Sequence, residues 1–191
     1  LYAGALLFLF GAVQAWHLPR KRAEPTADPD LEFRELHSVS VVRAANTMRF
    51  LRAAVGFMFF HLAFWLRTEI AGTAWLTFAI AVGNLSILAA NWVAPWVRAR
   101  ISTQSMLTFS IALVAVGGLA AGFSGVFIAG ILLTSVVNAA AAIGRVAFEA
   151  TVQSGAPDAD KAGAFARFET HNQVAWVAGS LVPVLLRLDG P

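Results

Sequence analysis

Cysteine is absent from the 191 residues. That excludes disulfides, thiolate metal sites and a cysteine nucleophile, and leaves the redox compartment open. Charge is scarce as well: Asp, Glu, Lys and Arg make up 13% of the chain, against about 25% in an ordinary soluble domain. A single Tyr stands beside fifteen Phe and six Trp, a balance that suits a lipid-facing protein better than a soluble core. No secretory signal peptide is recognisable. The chain opens without Met, inside an apolar run, and reads as a piece of a longer protein.

What is present is apolar. The hydrophobic fraction is 58% and the mean hydropathy +0.68. The net charge of +3 does not point to nucleic acid, because the positive residues are not gathered on one domain. They fall in short stretches between apolar runs, where charge orients membrane spans. The expected partner is therefore a lipid bilayer, with no nucleic acid.

One long polar segment, His17 to Arg52, organises the rest. It holds seven of the fourteen Lys and Arg residues and five of the eleven acids. Leu1 to Trp16 before it is uncharged and slightly short for a span of about 20 residues, as the end of a truncated one would be. After it, spans are expected at Arg49 to Arg67 and at Ile70 to Val97. Ile101 to Gly144 carries no charge for forty-four residues, about 66 Å if helical, so it must fold back. Gly122-Phe-Ser-Gly125 is the expected corner. The second helix of that pair is expected to run through Arg145 and Glu149 to about Gln153 and to end at Ser154-Gly-Ala-Pro157, with Gly as C-cap. Asp158 to Arg167 reads as a polar loop and Thr170 to Leu186 as the last span.

The expected organisation is thus a span end over 1–16, a cytoplasmic loop with an amphipathic helix over 17–48, a five-span bundle over 49–187 and a truncated outer loop at 188–191. Twelve Lys and Arg residues fall on one side and only Arg67 and Arg187 on the other. By the positive-inside rule the loops at 17–48, 98–102 and 150–167 are cytoplasmic and the protein is a multi-pass protein of the cell membrane. Trp16, Trp92 and Trp96 near inner ends, with Trp65 and Trp75 near outer ends, form an aromatic belt. Trp176 lies inside its span. Within the loop, Asp28-Pro29 reads as an N-cap and first helical position. Leu36, Val39, Val42, Ala45 and Met48 then suggest an amphipathic helix on the inner membrane surface.

This layout resembles the junction between the two halves of secondary transporters of the major facilitator superfamily. Gly83-Asn84 followed by Ala94-Pro95-Trp-Val-Arg-Ala-Arg100 is similar to the eighth span and following loop of bacterial members. Lys161-Ala-Gly-Ala-Phe-Ala-Arg-Phe-Glu-Thr170, running into Gln173-Val-Ala-Trp176, is similar to their eleventh-span entry. The loop after Val97 departs from the family pattern in keeping Arg98 and Arg100 but no Asp. The resemblance implies an all-α polytopic membrane protein, a helical bundle forming most of the C-terminal half of a carrier. Its implied activity is transmembrane transport of a small molecule, in uptake or efflux, with proton coupling left open and no cofactor. It further implies a partner in the missing N-terminal half.

Polar groups inside spans are costly, so their positions are informative. His61, Asn84 and Asn138 lie at mid-span, and with Trp176 they are the candidates for a substrate cavity. The plainer reading of each is helix-to-helix hydrogen bonding or packing. Arg145 and Glu149 form an i,i+4 pair. Arg167 and Glu169 stand across the following loop. These four are the candidate inner gate; surface charges anchoring helix ends are the alternative. Two other classes compete with this one. Gly122-Phe-Ser-Gly125 matches the GxSG pattern of intramembrane serine proteases, but the only later histidine, His171, is expected nearly a bilayer away from Ser124. An ion channel would need charged rings or a carbonyl-lined filter. The expectation is a carrier, not an enzyme.

Overall fold

The computed structural model describes residues 29–67, 72–157 and 159–186. Over these residues six helices follow one another: α1 (Pro29–Leu36), α2 (Val39–Arg67), α3 (Gly72–Arg98), α4 (Thr103–Ser124), α5 (Phe127–Gly155) and α6 (Lys161–Leu186). Four of them, α2 to α5, are long and apolar enough to cross a membrane. The span end expected at 1–16, the first part (17–28) of the loop expected over 17–48 and the outer loop expected at 188–191 lie outside the described residues.

The polar segment before the second span is largely helical. α1 begins at Pro29, whose ring suits a first helical turn. Asp30 and Glu32 lie in that turn and Arg34 in the last, each at the dipole end that favours its charge. After a break at His37 and Ser38, α2 starts at Val39 rather than Arg49 and runs for 29 residues. That is about 44 Å of helix, longer than a hydrocarbon layer of about 30 Å. The amphipathic segment is therefore the extension of a long apolar helix, and its buried face differs from the expected one. Val39 and Val42 are 65% and 38% exposed, while Val41, Ala44, Ala45, Met48 and Leu51 are buried. A strict three-residue repeat drifts by about 60° per step on a helix of 3.6 residues per turn, so Leu36, Val39, Val42, Ala45 and Met48 cannot share one face.

α5 is the centre of the bundle. It packs along α2, α3 and α4, and 56% of its most apolar stretch is buried, against 28% or less in the other three long helices. Its sequence explains this. Gly130, Ala140, Ala141, Gly144 and Ala147 are buried and present almost no side chain, so neighbours can approach on several sides. The core is layered along the helix axes. At one end Val41, Met48, Met106, Ala147, Phe148 and Val152 pack together. In the middle Leu51, Ala140 and Ala141 meet. At the other end Leu62, Leu66, Ala79 and Ile131 are joined by Trp65 and Trp75. The fully buried residues of α3 are all small: Ala79, Gly83, Ala90 and Ala94. The helix leaves Phe78, Leu85, Leu88 and Trp92 outside.

The corner between α4 and α5 falls where expected. α4 ends at Ser124, and Gly125 caps it at φ 63° with its N–H on the Ala121 carbonyl at 3.4 Å, the left-handed conformation that glycine adopts without strain. At the far end of α5 the expected glycine cap is corrected: Gly155 is the last helical residue, and Ala156 closes the helix with φ −138° and its N–H on Val152. The polar loop over Asp158 to Arg167 is also shorter than expected. α6 starts at Lys161, and the Asp160 carboxylate accepts from the N–H groups of Ala162 and Gly163 at 3.2 Å each, an N-cap. Phe165 and Phe168 dock edge-on against Phe148, at 6.3 and 5.3 Å between ring centroids. That docking holds the polar first half of α6 as helix.

α6 lies along α2. Their backbones come close enough that a Cβ on Gly56 would meet the Trp176 carbonyl, and one on Gly179 the Ala53 carbonyl. Gly118 on α4 has nothing within 4 Å of that position. Gly56→Ala is therefore expected to force α2 and α6 apart and destabilise the fold by about 1–3 kcal/mol. Gly118→Ala should be neutral or stabilising by up to about 1 kcal/mol. Thermal unfolding in detergent micelles measures both; equal shifts would show that this crossing does not hold the bundle.

Candidate functional site

The structure brings two of the four expected cavity residues together. Gly83 on α3 lacks a side chain, and the Asn138 amide nitrogen of α5 lies 2.8 Å from where a Cβ would stand. Asn84, the next residue on α3, donates from Nδ2 to the Ile80 carbonyl at 2.8 Å. Thr134, one turn before Asn138, donates to the Gly130 carbonyl at 3.0 Å. These three polar side chains line a cleft of about 150 Å³ between α2, α3 and α5, otherwise walled by apolar residues such as Val55, Phe59, Leu62 and Ile87. Thr134 has its bond, and Asn84 has used one donor. The side chain of Asn138 and the amide oxygen of Asn84 make no hydrogen bond among the described residues. They are the polar groups left for a ligand at this depth.

His61 and Trp176 are elsewhere. His61 faces a separate apolar cleft of about 300 Å³ between α2, α4 and α5, lined by Phe57, Trp65, Gly118, Gly122 and Gly130 among others. It stacks on Phe57 at 5.4 Å, and its buried Nδ1 has no hydrogen-bond partner. Trp176 sits at the α2–α6 crossing, edge-on to Phe60 at 6.0 Å. Three helix interfaces therefore hold the four residues, and only Asn84 and Asn138 share one.

At the end of the bundle where α2 begins, charges from three helices meet. Arg145 donates from Nε to Glu149 at 2.8 Å within α5. Glu169 on α6 accepts from Arg52 on α2 at 3.1 Å and from Gln173 at 2.7 Å. Arg145, Glu149 and Glu169 line one cleft of about 240 Å³ with Met48, Phe148 and Asn172. Arg167 does not join them. It pairs with Glu32 of α1 at 2.8 Å. No local pattern in the sequence marks Arg52, because its partner Glu169 is 117 residues away. The only available signal was that both charges sit one end-turn outside an apolar run.

Ser124 and His171 lie at opposite ends of the bundle. The serine hydroxyl donates to Ala121 beside the α4–α5 corner at 2.7 Å. The His171 ring bonds the Arg167 carbonyl in the first half of α6. Among the described residues no three His, Cys, Asp or Glu side chains converge as metal ligands. No protein-family model, curated protein or solved structure matches this chain. Over its described residues the class it falls in is an all-α bundle of six helices, four of them long and apolar enough to cross a membrane.

Arg52 and Glu169 are the one ion pair joining two long helices among the described residues. Arg52→Gln and Glu169→Gln should each lower the unfolding midpoint. The double variant should fall short of their sum by about 0.5–1 kcal/mol, since both side chains are partly exposed. A fully additive double variant would mean that the pair does not couple α2 to α6.

Proposed function

We propose that this chain carries a small molecule across a membrane by alternating access, as most of the C-terminal half of a carrier of the major facilitator type. The observation that carries the reading is the placement of polarity. Asn84, Thr134 and Asn138 gather in the middle of otherwise apolar helices, while nine of the ten described Lys and Arg residues sit at the end where α2 begins and only Arg67 at the other. A soluble bundle has no reason to keep its charge at one end. A carrier needs a polar midpoint and closable ends.

In this reading α6 is a further span, crossing from Thr170 to Leu186, and the basic end is cytoplasmic. The cleft at Asn84 and Asn138 is smaller than the roughly 300–1,000 Å³ of a complete small-molecule site, so it forms one wall and the other half of the carrier supplies the facing one. Substrate hydrogen-bonds the two amides there. The Arg52–Glu169 pair, with Arg145 and Glu149 beside it, closes the cytoplasmic end when the opposite end opens. Protease chemistry is disfavoured by the separation of Ser124 from His171.

Saturable accumulation of a transported compound by membrane vesicles tests the proposal. Asn84→Ala and Asn138→Ala should each lower transport about tenfold, the worth of roughly 1–1.5 kcal/mol per lost hydrogen bond. Membrane abundance should not change. Unchanged transport in both variants would remove the amides from the site.

A further inference from the structure

α1 does not float free of the bundle. It is tied down by the Glu32–Arg167 pair, and between it, α2 and α6 lies a cleft of about 590 Å³. Two guanidinium groups line this cleft, Arg49 from α2 and Arg167 from α6, with the rings of His37 and His171. One carboxylate, Glu32, faces them, and it is already engaged by Arg167 at 2.8 Å. Arg49 spends one nitrogen on the Asn46 amide at 2.8 Å. Its Nε is buried without a hydrogen-bond partner, a costly state for a cation. Each imidazole holds a backbone carbonyl through Nδ1, His37 that of Phe33 and His171 that of Arg167. Only Nε2 of each ring is left for a ligand. The cleft thus has excess positive charge and unspent donors.

Its depth says what kind of anion fits. Arg49 lies one turn before Arg52, where the uncharged part of α2 begins, and His171 lies one turn before Val174, where the apolar half of α6 begins. That is headgroup level for helices that cross a bilayer. Below His171, at steps of three and four, come Val174, Ala178, Leu181 and Leu185, all exposed. They form one continuous apolar track along α6. A charged cleft opening onto an apolar track matches an amphiphile, whose anionic head needs donors and whose tails need an uncovered apolar face. A free soluble anion would have no use for the track.

We propose that the cleft between α1, α2 and α6 binds the phosphate headgroup of an anionic phospholipid of the inner leaflet, held by Arg49 and Arg167, with its acyl chains along the exposed face of α6. The site rests on the reading that these helices cross a membrane with their basic end inward. It is distinct from the substrate cleft at Asn84 and Asn138. Occupancy would fasten α1 and the start of α6 to α2, next to the Arg52–Glu169 pair.

Native mass spectrometry of the full chain, released from micelles doped with equal amounts of phosphatidylglycerol and phosphatidylcholine, reads the site. The expected result is one retained phosphatidylglycerol, preferred at least fivefold over phosphatidylcholine. Arg49→Gln and Arg167→Gln should abolish the preference. Arg43→Gln, on a different face of α2, should keep it and serves as the folding control. Excess inorganic phosphate should not displace the lipid; displacement would overturn the proposal in favour of a soluble-anion site. Equal retention of both lipids, or selectivity that survives both arginine variants, would also overturn it while leaving the membrane reading intact. A chain that stays monomeric in buffer without detergent would overturn both.

Discussion

Helices in lipid gain little from hiding apolar side chains from one another, because the surrounding solvent is equally apolar. What holds them is close approach, and here close approach depends on the side chains that α5 and the α2–α6 crossing do without. Gly130, Ala140, Ala141, Gly144 and Ala147 give α5 a slender surface that α2, α3 and α4 can all touch. Gly56 and Gly179 let α6 lie directly on the backbone of α2. Large side chains are turned outward instead: Trp92 is 85% exposed, Phe123 89% and Leu185 74%. In water such a surface would drive aggregation. Against acyl chains it is the expected outer face.

The same packing decides where polarity can sit. Small residues on α3 and α5 let the Asn138 amide reach Gly83, so two amides share a narrow mid-bundle cleft. Bulkier neighbours at these positions would have filled it. The ends obey a different rule. There helices extend past the apolar layer, and Arg52, Glu169, Arg145, Glu149, Arg167 and Glu32 pair across them. An apolar middle with isolated amides and a charged end with exchangeable ion pairs is the physical basis for proposing a carrier: the middle can hold a neutral or weakly polar solute, and the end can open by exchanging ion-pair partners.

Much of the fold was legible because long apolar runs and the breaks between them follow simple rules. Four apolar runs of sufficient length, the corner at Gly125 and the gathering of basic residues at alternate connections could all be read from spacing alone. What could not be read depended on contacts distant in sequence. The start of α6 at Lys161 relies on Phe165 and Phe168 meeting Phe148, so a stretch that looks like a polar loop is helix. The extension of α2 back to Val39 relies on Val41, Ala44 and Met48 packing against Met106 and Val152. Among the candidate site residues, the proximity of Asn84 and Asn138 follows from Gly83, whereas His61 and Trp176 fall in other interfaces because α2 turns His61 toward α4 and α5 and its neighbour Phe60 toward Trp176 of α6. Arg167 pairing with Glu32, and Arg52 with Glu169, join residues more than a hundred positions apart, and no local pattern announces either.

The central claim is that these helices cross a bilayer with the basic end inward. Because the chain has no cysteine, single cysteines placed at Ala99, between α3 and α4, and at Ser124, where α4 ends, can be labelled without background. Treatment of intact cells with a membrane-impermeant maleimide should modify Ser124→Cys at once and Ala99→Cys only after permeabilisation. Labelling of Ala99→Cys in intact cells, or equal labelling of the two, would contradict the arrangement on which the account stands.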